Sequence, residues 1–227
     1  MHRLHLIPLL VWTALLLAVL SIRFLLPFEP TNSHFVHARI VDSLTASQVW
    51  GRQALVGSLE FPPLSTLAML FAEQIGQFLR IPGGFILIIC AQTWTLFYLL
   101  RVPRNAGLRV LAAIPFCCAM LAPVSYATVL TLDPNWIAAV PAAAAIYHVI
   151  QWERYHSLRD AVLLGINASL LVFAGLAGIL LALVILLVCA MSVRQMSVSD
   201  REFNPRGIRL LIWAPFGYAM LLLFLAN

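Results

Sequence analysis

Residues 161–190 read AVLLGINASLLVFAGLAGILLALVILLVCA, a run of thirty residues without a charged side chain. A helix needs about 20 mostly apolar residues to cross the hydrocarbon core of a bilayer, so this run predicts a transmembrane helix. At 1.5 Å per residue it would be about 45 Å long, against roughly 30 Å of hydrocarbon. The run therefore forms either one tilted span, or a short helix over 161–174 that breaks at Gly175 and Gly178 before a second helix that spans.

The composition extends this prediction to the whole chain. Of its 227 residues, 62% are hydrophobic and only 10% are charged, whereas a soluble domain has about 25% charged residues. So few charges do not cover a globule of this size, and lipid must solvate much of the surface. Inside lipid each backbone polar group needs a partner within its own segment, which favours helices. The predicted fold class is all-α, a polytopic transmembrane helical bundle.

Six further apolar runs predict a bundle of about seven spans, or eight if the run quoted above breaks. The first run is too long for a signal peptide and lacks a small-residue cleavage site, so we expect it to be retained as an anchor. The chain is then one transmembrane domain over 1–227. The predicted spans are Leu6–Pro27, Pro62–Leu79, Gly83–Leu100, Val110–Thr131, Asn135–Trp152, Ala161–Ala190 and Ile208–Ala226.

The charges indicate how the chain contacts the membrane. Its formal net charge is +5, and no basic cluster has interleaved aromatics, so the expected partners are anionic membrane lipids and not nucleic acid. Four arginines in Arg194–Arg209 predict a cytoplasmic loop. Over the whole chain six arginines would lie inside and seven outside, which does not fix the orientation. On the strength of this loop we expect the N-terminus inside and the first loop, 28–61, outside, in an integral protein of the cell inner membrane. With seven spans this orientation puts Asp133 inside, opposite the first loop. If the count is wrong by one span, Asp133 lies on the same side as that loop.

The first loop contains an amphipathic helix. His34, His37 and Asp42 fall mostly on one side of it, which predicts a surface helix lying along the membrane. Pro62-Pro63 then sets the start of the second span, where proline costs least. The apolar residues that recur at helical spacing are Phe35, Val36, Ile40, Val41 and Leu44.

Three polar residues, Glu73, Gln74 and Gln77, lie in the second predicted span. Polar groups are expensive within a membrane, so they should face other helices or a water-filled cavity. Because they lie near the end of the span, contact with the membrane interface is the alternative.

The order of these features resembles the membrane-embedded GT-C glycosyltransferases, of the dolichyl-phosphate-mannose and lipid-A-modifying type. In that family a loop acidic pair precedes a surface helix and a His-Pro-Pro-Leu-like motif, whose latter half Phe61-Pro62-Pro63-Leu64 matches. Leu132-Asp133-Pro134 looks like the second acidic site of the family. Asn32-Ser33 stands where the family usually has Asp-Glu, and the family typically has more spans, so the chain resembles the N-terminal half of such an enzyme.

The resemblance implies transfer of a sugar from a polyprenyl-phosphate donor to an acceptor at the outer face, without a cofactor. A first-loop carboxylate would act as general base on the acceptor hydroxyl, and arginines would hold the phosphate through bidentate contacts. Structural alternatives stay open: a solvated acid, a headgroup anchor or, for Asp133 beside Pro134, a helix N-cap. The catalytic candidates are Asp42 and Glu60, with Glu29 third, and the substrate-binding candidates are Arg39, Arg52, Asp133, His34 and His37.

His34 and His37 are three residues apart and share a helix face, which raises the question of a metal site. Asp42 is a further candidate ligand, but no third ligand has a firm spacing from the two histidines. No metal site is predicted.

A second hypothesis treats the chain as a non-catalytic or truncated polytopic protein that acts as an assembly partner of another membrane protein. The enzyme hypothesis predicts that Asp42, Glu60 and Asp133 converge with nearby arginines on one cavity under the first loop. The assembly-partner hypothesis predicts a flat first loop without a polar pocket. The lining of that loop therefore discriminates between the two.

Overall fold

The computed structural model describes residues 32–56, 62–105, 131–199 and 205–226. All regular structure within these ranges is helical, which confirms the all-α prediction. The helices are α1 (Asn32–Thr45), α2 (Val49–Val56), α3 (Pro63–Leu79), α4 (Gly83–Asn105), a 3₁₀ helix (Pro134–Ala138), α5 (Ala139–Tyr155), α6 (Leu158–Val172), α7 (Leu176–Ser199) and α8 (Pro205–Ala226).

Some predictions fall outside the described residues. They are the span over 6–27, all but the last residue of the span over 110–131, and the candidate acids Glu29 and Glu60. The chain divides into two compact units, Met1–Val140 and Pro141–Asn227.

In the first unit α3 and α4 pack together, and α1 and the 3₁₀ helix pack on α3. α3 begins at Pro63, as Pro62-Pro63 predicts. It ends at Leu79, and Arg80 then takes a left-handed backbone conformation with φ 57°. A small buried core joins α1, α3 and α4 and consists of Val41, Met69, Ala72 and Leu87.

The start of α4 lies directly against α3, and this close approach requires a glycine. A Cβ at Gly83 would lie 2.5 Å from the backbone nitrogen of Glu73, a separation that leaves no room for a side chain. Gly83 therefore fixes how closely α4 approaches the turn of α3 that carries Glu73.

In the second unit α6 packs against α7 and α8. The run over 161–190 is broken, because α6 ends at Val172 and α7 begins at Leu176. Gly175 lies between them with φ 91°, a backbone conformation that glycine adopts most readily. Of the two alternatives for this run, the structure has the broken helix. The side chains in this core that are fully shielded from solvent include Trp152, Leu164, Val172, Ala182 and Leu186.

Within the described residues, no helix taken singly combines the length and the hydropathy that a membrane crossing requires. α3 and the Gly83–Leu99 part of α4 meet both criteria only when they are taken together, and they are bent by 117° relative to each other. Shorter apolar helices cover Leu176–Met191 and Leu211–Leu225.

Candidate functional site

The predicted surface helix exists as α1, but one of its faces is buried against protein. Ile40 and Val41 are 1% and 3% exposed, and His37 is fully buried. The prediction that His37 falls on the polar side of this helix was therefore wrong. His37 lies three and four residues before Ile40 and Val41, so all three share the face that packs on α3.

His37 is held by a hydrogen bond to α3. Its Nδ1 lies 2.7 Å from Oγ1 of Thr66, which is also fully buried. Burial lowers the pKa of His37 because it disfavours the imidazolium, although the Asn135 side chain and the Asp133 carboxylate act in the opposite direction. The neutral imidazole is thus the form that suits this contact.

The segment before the 3₁₀ helix completes a polar cluster around His37. Oδ1 of Asp133 accepts from the backbone N–H of Asn135 at 3.1 Å, and Oδ1 of Asn135 accepts from Oγ of Ser65 on α3 at 2.9 Å. Asp133 is therefore the N-cap of the 3₁₀ helix, with Pro134 in its first turn. A helix N-cap is the structural alternative that the sequence left open for Asp133.

His34 joins α1 to the same segment. Its Nδ1 lies 3.2 Å from the carbonyl oxygen of Leu132, and since a carbonyl only accepts, Nδ1 carries the proton in this contact. We call His34, His37, Thr66, Asp133 and Asn135 the histidine cluster.

The histidine cluster joins the described part of the first loop to residues 132–135. His34 of α1 contacts Leu132, so these residues lie beside that helix. A count of seven spans with the N-terminus inside predicts Asp133 opposite the first loop, and this contact does not fit that arrangement.

A second polar site lies between α1 and α3, where a cavity of about 410 Å³ opens. Asp42 of α1, which is exposed, lines it. The polar side chains around it are Asp42, Thr45, Glu73, Gln74 and Gln77, and the apolar ones are Ala38, Val41 and Leu70.

The residues that line the cavity have the same sequence spacing on both helices. α1 contributes positions 38, 41, 42 and 45, and α3 contributes positions 70, 73, 74 and 77. Residues separated by three, four and seven positions lie along one edge of a helix, so two such edges face each other here. Glu73, Gln74 and Gln77 thus face a cavity, which is one of the alternatives that their sequence position left open.

The structure separates the predicted site residues into groups. Asp42 lines the cavity, whereas His34, His37 and Asp133 belong to the histidine cluster. Arg39 and Arg52 are exposed on α1 and α2 and do not line the cavity. The predicted convergence of Asp42 with Asp133 and the arginines on one cavity is therefore not observed among the described residues.

Sequence reasoning missed Glu73 as the carboxylate that accompanies Asp42. The signal was present, because the polar positions 42 and 45 of α1 repeat the spacing of 74 and 77 of α3. Which edge of one helix meets which edge of the other depends on their packing register, and one helix pattern alone does not fix it.

The second unit has a polar pair that the sequence did not indicate. Nδ1 of His148 lies 2.8 Å from Oδ1 of Asp160, and both side chains are largely buried. The carboxylate accepts this hydrogen bond and ties the last turns of α5 to the first turn of α6. An acid in the first turn of a helix is also favoured by the helix dipole.

The sequence raised a possible metal site at His34 and His37, with Asp42 as a further ligand. In the part of the chain that the structure describes, no three histidine, cysteine, aspartate or glutamate side chains are arranged to hold a metal ion. His34 and His37 bind Leu132 and Thr66, while Asp42 faces the cavity.

Comparison with known proteins assigns no family to this geometry: no protein-family model, no curated protein and no solved structure matches the chain. The resemblance to the GT-C enzymes rests on the sequence layout of the first loop. The cavity and the helices around it therefore carry the functional conclusion.

Proposed function

We propose that this chain is an integral membrane protein of about seven spans that transfers a sugar from a polyprenyl-phosphate carrier to an acceptor. The observation that carries the proposal is the partly polar cavity beneath the first-loop helix, with the Asp42 carboxylate on its wall. A reactive carboxylate must be reachable by substrate, and Asp42 is exposed to this cavity.

A membrane environment is supported by the apolar side chains that the second unit exposes. On α7 they form one stripe, because successive members are three or four residues apart. Contiguous apolar patches larger than a few hundred Å² are rare on soluble monomers, and lipid removes the cost of exposing them to water. The stripe consists of Leu176, Leu180, Leu183, Leu187 and Met191.

A comparable stripe lies on α3, the helix that forms one wall of the cavity. Leu67, Phe71, Ile75 and Phe78 are exposed along it, on an edge different from that of Glu73 and Gln77. α3 would then present its apolar edge to hydrocarbon and its polar edge to the cavity. This is the arrangement that a membrane protein uses to keep polar side chains away from lipid.

The contact between His34 and Leu132 sets the parity of the spans in this proposal. The chain leaves the first loop and returns to the same side by Leu132, so it crosses the bilayer an even number of times between them. The proposal takes two or four spans in this interval, where the sequence predicts three.

The reaction follows from the chemistry of Asp42. Its carboxylate would take the proton from an acceptor hydroxyl while the acceptor oxygen forms a bond to C1 of the sugar. The bond between C1 and the phosphate oxygen breaks, and the polyprenyl phosphate leaves with the electron pair. This step needs no oxidant, reductant or cofactor.

The cavity also bears on the second hypothesis. A non-catalytic assembly partner predicts a flat first loop without a polar pocket, whereas α1 and α3 form an open cavity of about 410 Å³ whose lining is partly polar and partly apolar. This observation counts against the flat loop that the assembly partner predicts, while the position of Asp133 and the arginines outside the cavity counts against the full convergence that the enzyme predicts.

The experiment uses the full chain reconstituted in liposomes with radiolabelled polyprenyl-phosphate hexoses and pentoses as donors. A total membrane lipid extract serves as the source of acceptor. The proposal expects release of free polyprenyl phosphate and movement of the label to a second product. The absence of turnover with every donor of the panel, in a preparation that is folded, would overturn it.

A further inference from the structure

We infer that the cavity between α1 and α3 binds the neutral, hydroxyl-rich ring of a reactant, and that the phosphate of the donor stays outside it. This inference rests on the proposed function and adds to it the chemical class of the group that enters the cavity. Three properties of the cavity carry the inference: its size, its charge and the hydrogen-bonding groups on its walls.

The size of the cavity suits a small molecule. Its volume of about 410 Å³ lies in the range of about 300–1,000 Å³ that is usual for pockets binding small ligands. It lies between two helices, so its walls are held by backbone geometry and by the hydrogen bond of His37 to Thr66.

The charge of the cavity excludes a phosphate. Among the described side chains that line it, the charged ones are the carboxylates of Asp42 and Glu73. A phosphate brought between them meets like charge, and no arginine of the lining compensates it. Arg39, the sequence-predicted phosphate ligand on α1, is exposed and lies outside the lining.

The hydrogen-bonding groups of the cavity match a polyol. Gln74 and Gln77 can each donate and accept, while the two carboxylates accept strongly from hydroxyl groups. The hydroxyl of Thr45 already donates to the backbone oxygen of Asp42 at 2.8 Å, so toward a ligand it offers its lone pairs. A ring that carries several hydroxyl groups supplies the donors that this set of acceptors needs.

Three apolar side chains complete the match. Ala38, Val41 and Leu70 line the same cavity and provide a surface for the C–H groups of a sugar ring. A small cation such as a polyamine would pair with the carboxylates but would use neither the amide N–H groups of Gln74 and Gln77 nor the apolar side chains. The mixed lining therefore favours a neutral ring over a cation.

The test measures binding alone, without donor or turnover, on the full chain in detergent. Saturation-transfer difference NMR is recorded with neutral methyl glycosides of common hexoses and pentoses. Inorganic pyrophosphate and spermidine are added separately as competitors. We expect at least one glycoside to bind, with neither competitor displacing it.

Two variants locate the signal in the cavity. Gln77→Ala should weaken the binding of that glycoside by about 5-fold, the usual effect of losing one neutral hydrogen bond, and Glu73→Gln by about 10-fold, because its bond is to a charged group. Gln151→Ala, a change of the same kind on α5, is the matched control and should bind as the unmodified protein does. Size-exclusion profiles establish that each variant is folded.

A third variant tests the exclusion of phosphate through a gain of binding, by adding a positive charge to the cavity wall. Gln77→Arg places a cation on the wall, so pyrophosphate binding should appear, read as broadening of its ³¹P line, while glycoside binding falls. The inference is overturned if no glycoside binds, if Gln77→Ala and Gln151→Ala behave alike, or if pyrophosphate or spermidine competes in the unmodified protein. Glycoside binding without turnover would overturn the proposed function alone, and turnover without such binding would overturn this inference alone.

Discussion

Nδ1 of His37 lies 2.7 Å from Oγ1 of Thr66, and this buried hydrogen bond fastens α1 to α3. Asp42 is carried by the same helix, slightly more than one turn further along, and Glu73 lies two turns beyond Thr66 on α3. The contact therefore sets the register in which the two cavity walls meet. A change at this contact should affect both the stability of the first unit and the shape of the cavity.

Replacing Thr66 by valine keeps the shape of the side chain and removes the hydroxyl. Because His37 is fully buried, the loss of its partner should lower the free energy of unfolding by about 1–3 kcal/mol. Chemical denaturation in detergent measures this. Thr45→Val, the same change at an exposed position of α1, should stay within about 0.5 kcal/mol, and equal effects of the two changes would contradict the role given to Thr66.

The pH dependence of stability follows from the lowered pKa of His37. In the unfolded chain this residue titrates near 6.5, and in the folded chain at a lower pH. Below pH 6.5 the unfolded state therefore binds more protons, so the free energy of unfolding falls as the pH falls. More than about one unit above that pH, both states hold His37 neutral and it contributes almost no pH dependence.

Unfolding midpoints at pH 7.5 and 5.5 measure this effect. His37→Gln should reduce the difference between the two midpoints, whereas Gln151→Ala, a change on α5 that removes no titratable group, should leave it unchanged. An unaltered pH dependence in His37→Gln would show that other groups cause it.

The contact between α3 and the segment after Asp133 can be tested by cross-linking. Oγ of Ser65 lies 2.9 Å from Oδ1 of Asn135, so cysteines at both positions, in a background without the native cysteines, should form a disulfide under mild oxidation. Mass spectrometry after proteolysis detects it. A cysteine at Thr45, on the last turn of α1, paired with one at Asn135 is the control that should stay reduced. The absence of the Ser65–Asn135 link would contradict the placement of residues 132–135 beside α3.

Gly83 and Gly217 offer a matched pair of glycine-to-alanine changes. A Cβ at Gly83 would meet the backbone of Glu73, whereas one at Gly217 on α8 meets no atom within 4 Å. Gly83→Ala should therefore destabilise the protein by about 1–3 kcal/mol. Gly217→Ala should stabilise it by about 0.5–1 kcal/mol, because alanine is the better helix former. Thermal unfolding measures both, and a stable Gly83→Ala protein would contradict the close packing of α3 and α4.

The local features of this fold were accessible from the sequence because they depend on neighbouring residues. Pro62-Pro63 predicts where α3 begins, and Gly175 marks the break that separates α6 from α7. The helix in the first loop follows from the spacing of its apolar residues. Each of these features is decided within one or two turns of chain.

The arrangement of the site was not accessible in the same way. His37 is polar and was assigned to the polar side of α1, but a partner on α3 satisfies its hydrogen bond and allows it to be buried. The pairing of Asp42 with Glu73 depends on the register between two helices, and that of His148 with Asp160 depends on the turn between α5 and α6. Patterns within one helix do not contain this information.

The general-base role of Asp42 is the centre of this account, and the rate of sugar transfer by Asp42→Asn tests it most directly. With the donor that the unmodified protein turns over, the asparagine variant should be slower by about 10²–10⁴-fold, the usual contribution of a general base. Glu153→Gln, the same loss of charge at an exposed acid of α5, should retain the full rate. A transfer rate of Asp42→Asn equal to that of the unmodified protein would contradict the account.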